Sequence, residues 1–226
     1  MPSPAVLRQR SRTLVIAAAA VPLALAVLAD DVRVRRQLEA ARRDPLSGLP
    51  GRPELLAYTD RLLRSGRRSS VYVLLVDGDR FKAVNDTYGH ACGDTVIRTT
   101  GQRLVHWSKG RHAVAVRLGG DEFAVATALP AGSALTDIAA LRRQLQQPIH
   151  HRAVVLQMTV SVGIACAADL PGETADTILR GADVSMYKVK TGEQVFPYLA
   201  TRADAYADAV NGRRAGRPGA AQEPAA

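Results

Sequence analysis

Six consecutive apolar residues, Val71-Tyr72-Val73-Leu74-Leu75-Val76, run directly into Asp77-Gly78-Asp79. A run apolar at every position and rich in β-branched side chains reads as a strand buried at the centre of a sheet. The acids then stand where that strand ends. A second pattern narrows the fold. The segments "AVAVRL" and "EFAVAT" flank Gly119 and Gly120, and a two-residue glycine turn between such runs signals a β-hairpin. Residues 93–107 space Val96, Ile97, Leu104 and Val105 like an amphipathic helix. Residues 135–147 and 174–190 also read as helices, and 155–167 as a strand. The order strand, helix, hairpin, helix, strand, helix predicts an α+β fold, a central and mostly antiparallel sheet with helices packed on it.

The chain has 226 residues, of which 47% are apolar, enough for one packed domain and its appendages. Its net charge of +9 comes largely from arginines near the two ends, among them Arg8, Arg10, Arg12, Arg213, Arg214 and Arg217. That placement suits the flanks of a membrane segment better than a nucleic-acid groove. An aromatic content of 4% also argues against a base-stacking platform, so no nucleic-acid partner is expected. Cys92 and Cys166 lack metal-ligand spacing and are expected to be reduced residues of the core or of helices.

After a basic segment, 1–12, residues 13–29 ("TLVIAAAAVPLALAVLA") carry no charge. As a helix they would span roughly 25 Å, near the lower limit for crossing a bilayer. A transmembrane anchor, a signal peptide ending at "VLA" and a buried helix all fit the letters. Arginines on both sides leave the orientation open. The chemistry below needs intracellular nucleotide, which favours a single-pass anchor in the cell membrane with the domain in the cytoplasm. Residues 30–43 then form a charged helical stalk. "DPLSGLPGRPEL" is a turn-rich entrance to a domain spanning 44–200, and 201–226 is expected to be a disordered tail.

"DGD" alone could be an acidic turn. It opens like a calcium loop, but Phe81 and Lys82 fall where further oxygen ligands are required, which excludes that reading. If the hairpin pairs beside 71–76, Asp121 at its tip can approach Asp77. Carboxylates from neighbouring strand ends repel unless cations separate them, an arrangement suited to Mg²⁺ on a triphosphate. Asp121 and Glu122 alternate in side-chain direction along a strand, so they need not share a task.

"RLGGDEFAVA" resembles the signature of the diguanylate cyclases, the GGDEF-domain family. "DPLSGLPGR", "DGDRFKAVNDTYGHACGD", "TVSVGIA" and "ADVSMYKVK" resemble its other blocks, in order, over residues 44 to about 192. The resemblance implies a fold like that of nucleotidyl cyclases and the polymerase palm. Carried over, it makes Asp77, Asp121 and the Gly78 carbonyl ligands of Mg²⁺, or of Mn²⁺ in its place. Phe81 and Lys82 match the phosphate-holding loop, and Lys190 a phosphate-contacting lysine. Asn85 and Asp94 match the readers of guanine, whose donor and acceptor edge an amide and an acid can satisfy. Gly119 and Gly120 would let backbone approach the nucleotide, and Glu122 would assist the metals or the deprotonation of the attacking hydroxyl. His90 reads as structural.

The implied reaction joins two GTP molecules into cyclic di-GMP with release of pyrophosphate, in a homodimer that sets two domains face to face. Two departures stand out. Glu193 or Gln194 occupies the place of a phosphate-binding arginine, which weakens triphosphate binding by about 1.5–3 kcal/mol. "GRHAVAV" also lacks the aspartate of the Arg-x-x-Asp product-binding motif, so inhibition through that site is not expected. The alternative is a weak or inactive GGDEF module that binds GTP or a partner.

Overall fold

The structure, a computed structural model, describes Asp30, Arg33 and residues 43–206 other than 67, 171 and 173. The anchor expected at 13–29, nearly all of the stalk and the tail from 207 lie outside the described residues. Among the described residues no helix is long and apolar enough to cross a membrane.

The elements are α1 (Arg52–Arg64), a 3₁₀ turn (Arg68–Ser70), β1 (Val71–Gly78), α2 (Phe81–Tyr88) and α3 (His90–Ser108). They continue with β2 (Ala113–Gly119), β3 (Glu122–Ala128), α4 (Ala134–Leu145), β4 (Ile149–His151) and β5 (Val154–Leu156). The last are β6 (Val160–Cys166), α5 (Ala175–Lys190) and α6 (Arg202–Tyr206). Four strands form one sheet in the order β2-β3-β1-β6, with every pairing antiparallel. This is the α+β architecture expected from the sequence.

The apolar run of β1 now has its reason. Tyr72, Leu74 and Val76 pack with Ile97, Leu104 and Trp107 of α3 and Ile138 and Leu141 of α4. Val71, Val73 and Leu75 pack on the opposite face with Leu55 of α1 and Ile178, Ala182 and Met186 of α5. Alternate side chains of a strand point to opposite faces, so a strand covered on both has no polar position to spare. Helix α5 comes closest at Gly163, where a Cβ would stand 2.0 Å from the Ala182 carbonyl oxygen. Ser185 fixes that approach by accepting a hydrogen bond from the Ile164 N–H and donating to the Tyr198 carbonyl.

Several boundaries differ from expectation. In α3, Trp107 is buried whereas Val105 is 39% exposed, because the helix turns that position outward. The strand expected over 155–167 divides. Val154–Leu156 pairs with Ile149–His151 in a separate hairpin, and only Val160–Cys166 enters the main sheet. Helix α1 begins inside the turn-rich entrance, with a proline in its first turn, where a missing N–H is harmless. The folded chain also passes residue 200, where a disordered tail was expected. Asp204 and Ala205 of α6 are buried. Cys92 and Cys166 are free and buried, as expected.

Candidate active site

Strand β1 delivers Asp77 and Gly78 to one end of the sheet. Asp77 is 2% exposed and lies directly across from Glu122 in the antiparallel register. Such opposed residues send their side chains to one face, where like charges repel. Lys190, the last residue of α5, offsets this by donating its ammonium to Asp77 Oδ1. A buried carboxylate without a cation would be strongly destabilising, so Asp77 and Lys190 depend on each other.

The hairpin turn is displaced by one residue from its expected position. Gly119 still belongs to β2 and pairs with Glu122, so Gly120 and Asp121 make the turn, with an irregularity between Arg117 and Gly119. That shift puts Asp121 at the tip. Its Oδ2 lies 3.3 Å from where a Cβ on Gly78 would be, so the carboxylate rests against the Gly78 backbone. Asp121 shares a small recess with Phe123 and Met158. Glu122 lines a cavity of about 90 Å³ with Arg52, Arg180 and Asp183 beside α5. The two adjacent acids thus line different recesses.

These donors fit a hard divalent cation. Two carboxylates and a backbone carbonyl are oxygen ligands, and Mg²⁺ characteristically takes one or two carboxylates and completes its shell with water and substrate phosphates. Among the described residues no three His, Cys, Asp or Glu side chains converge.

The other candidate residues gather around the junction of α2 and α3. Asn85 lies so close to Gly93 that a Cβ there would stand 1.9 Å from its Oδ1. Only glycine at 93 allows the amide this position. The Phe81 ring is the next neighbour, 3.1 Å from the same point, and is partly buried in the core. The Phe81 ring thus packs beside the Asn85 amide. Asp94 follows Gly93 in α3, and Lys82, Asp94 and His90 are exposed.

Sequence reasoning missed the residue that fixes the hairpin. Arg117 donates through Nε and Nη2 to the Gly120 carbonyl and through Nη1 to both oxygens of Asp44. Asp44 also accepts from the backbone N–H and hydroxyl of Ser47. Burial pushes the Asp44 carboxyl up, but the hydrogen bonds from Arg117 and Ser47 outweigh it and hold the group below its ordinary value. The entrance turn thereby positions the turn that carries Asp121. Only the fold joins "DPLSG" and "VRLGG", whose clamped residues are 73 positions apart.

The region expected to have lost an arginine is also clear. Glu193 and Gln194 follow α5 on the surface, with Glu193 accepting from the Thr191 hydroxyl at 3.2 Å.

Comparison with known proteins places this geometry in context. Residues 41–194 match the family described as diguanylate cyclase, GGDEF domain. An uncharacterised protein from the repSA 5′ region of Streptomyces ambofaciens is 43% identical over 155 residues, which are 69% of this chain and 81% of that one. The diguanylate cyclase DgcZ of Escherichia coli is 36% identical over 154 residues, covering 65% of this chain but 49% of DgcZ. The chain therefore spans about half the length of that relative. Among solved structures, the GGDEF domain of YfiN (TpbB) from Pseudomonas aeruginosa superposes with a TM-score of 0.65 at 33% identity, covering 72% of this chain and 96% of that domain.

Proposed function

The chain belongs to the GGDEF-domain family of diguanylate cyclases, and from that premise we propose that it condenses two GTP molecules into cyclic di-GMP and two pyrophosphates. The observation that carries this reading is the end of β1, where Lys190 binds Asp77 and Asp121 rests against the adjacent Gly78. Oxygen donors and a cation there match what a nucleoside triphosphate and its metal require.

Asp77, Asp121 and the Gly78 carbonyl would hold Mg²⁺, with Mn²⁺ as a substitute. When bound, that ion offsets phosphate charge and makes the nucleotide's hydroxyl more acidic. Asn85 and Asp94 select guanine, the acid accepting from its N1–H and N2–H₂ edge. Lys82 and Lys190 bear on the phosphates, and Gly119 and Gly120 admit them without side-chain obstruction. Glu122, facing away from Asp121, assists removal of the proton from the attacking 3′-hydroxyl. Each 3′-oxygen attacks the α-phosphorus of the other nucleotide and displaces pyrophosphate. One domain holds one GTP, so the active species is a homodimer. The apolar segment 13–29 anchors it in the cell membrane with the domain in the cytoplasm. The aspartate absent from "GRHAVAV" leaves product inhibition through that motif without a basis.

The test is incubation of the full chain with GTP and Mg²⁺, with Asp121→Ala as control. Cyclic di-GMP formed by the wild type and lost in the control supports the reading. No product, even from an enforced dimer, refutes it. The acid at Glu193 favours one second reading, a module that binds GTP without turning it over. Saturable GTP binding with no product would select that reading.

A further inference from the structure

We propose that Arg142 supplies the second cation for the terminal phosphates of the nucleotide, from helix α4 and not from the segment after Lys190. The proposal rests on the GTP reading above and identifies a phosphate-binding residue within it.

An open groove of about 840 Å³ runs past the end of β1, lined in part by Asp79, Arg80, Arg142, Ser161 and Lys190. It is continuous with the metal-binding end of the sheet, because Lys190 is also the partner of Asp77. Arg142 Nε donates to the Val160 carbonyl at 3.3 Å. Val160 is the register partner of Gly78, whose carbonyl is the third oxygen of the cation site. Opposed Cα atoms in an antiparallel pair lie roughly 4.5–5.5 Å apart. The guanidinium is thus anchored one strand away from the place where metal and phosphates meet.

Its surroundings leave it ready for an anion. The Arg142 Cζ lies 4.6 Å from the centroid of the Phe196 ring, which covers one face of the planar group. The Val160 carbonyl takes Nε, and among the described residues neither Nη makes a hydrogen bond and no carboxylate pairs with the side chain. The one acid in the groove, Asp79, is turned toward Ser161, which donates to it at 2.7 Å. A guanidinium held by one edge and one face, with its other N–H groups toward a groove, is the geometry that suits phosphate.

Phe196 also links this arrangement to the missing arginine. It follows Gln194 by two residues, so the stretch carrying Glu193 and Gln194 leads directly beneath Arg142. That stretch contributes a ring in place of a charge.

The experiment titrates the full-length wild type, Arg142→Gln and Arg142→Lys with GTP and with GMP in the presence of Mg²⁺, and records thermal unfolding of each. Loss of one charge-assisted contact should weaken GTP binding to Arg142→Gln by about tenfold or more. GMP, which lacks the terminal phosphates, should bind within about twofold of wild type, and Arg142→Lys, which keeps the charge but loses the planar fork, should bind GTP less tightly than wild type and more tightly than Arg142→Gln. Unchanged GTP affinity in Arg142→Gln overturns the proposal while leaving the cyclase reading intact. Equal weakening toward GTP and GMP, with a lowered unfolding temperature, also overturns it by marking Arg142 as structural. A wild type that binds no GTP removes both readings together.

Discussion

Two charged clamps, one at each end of the domain, hold the two halves of the candidate site. Asp44, in the entrance turn, grips Arg117 and through it the Gly120–Asp121 turn. Asp204, in α6, accepts from Lys188, the Tyr198 hydroxyl and both the N–H and hydroxyl of Thr201. That second clamp secures the last turn of α5, where Lys190 stands. They differ in depth. The Asp44 side chain is 27% exposed and that of Asp204 is 2% exposed. Water can take over part of the first network when a member is lost, but not the acceptor role of Asp204. The deep clamp should therefore govern folding and the shallow one geometry.

The sharpest way to break this contrast is Asp204→Ala. It removes the acceptor shared by an ammonium, a phenol and a backbone N–H, and breaking a buried pair from one side costs about 3–5 kcal/mol. Urea unfolding should show a loss of that size. A loss below about 1 kcal/mol would mean that the strap after α5 contributes little to the fold.

Asp44→Ala should cost less, about 1–3 kcal/mol, because its own carboxylate is nearer to solvent. Its larger effect should appear in turnover. Arg117 would still reach the Gly120 carbonyl but would lose its anchor, and a misplacement of the turn by about 1 Å is enough for a hundredfold loss of rate. Steady-state assay should show the rate falling with GTP affinity little changed. If Asp44→Ala instead lowers stability and leaves turnover at the wild-type level, the division of labour between the clamps is wrong.

Neither clamp was legible in the sequence, and the reason is physical. The core is encoded locally, because an apolar run such as 71–76 and the helical spacing of 174–190 impose their periods on their own segments. The resemblance likewise ran through contiguous blocks, which brought Asp77, Asn85, Asp94 and Asp121 into view. A clamp joins residues whose distance in space has no counterpart in spacing along the chain. Asp44 and Arg117 are 73 residues apart, and nothing in "DPLSG" announces its partner. The exact turn escaped for a related reason. Two adjacent glycines look like the turn, yet pairing of Gly119 with Glu122 moves it onto Asp121. The role of Gly93 depended on the side chain of Asn85, eight residues earlier and in another helix.

The smallest effect should appear in the pH dependence of stability, where the clamps differ in kind. For Asp44 and Asp204 alike, burial pushes the carboxyl up and hydrogen-bond donors outweigh it, so both folded values lie below the ordinary 3.8. A depressed carboxyl contributes stability that is fully present above the unfolded value and is lost as pH falls through the folded one. Both clamps should therefore weaken below about pH 4. On the alkaline side they part. The cation of the first clamp is an arginine, a residue type that keeps its charge in proteins. Lys188 is raised above 10.5 by its hydrogen bond to Asp204, which outweighs its burial. Its contribution is complete below 10.5 and is lost as pH rises through the higher folded value. Tyr198, raised above 10.0 by burial and by the Asp204 hydrogen bond, acts in the same direction. Urea midpoints measured across both limits should show the acid decline reduced in Asp44→Asn and in Asp204→Asn. The alkaline decline should be reduced only in Asp204→Asn, and an equal reduction in Asp44→Asn would show that the two clamps are one coupled network.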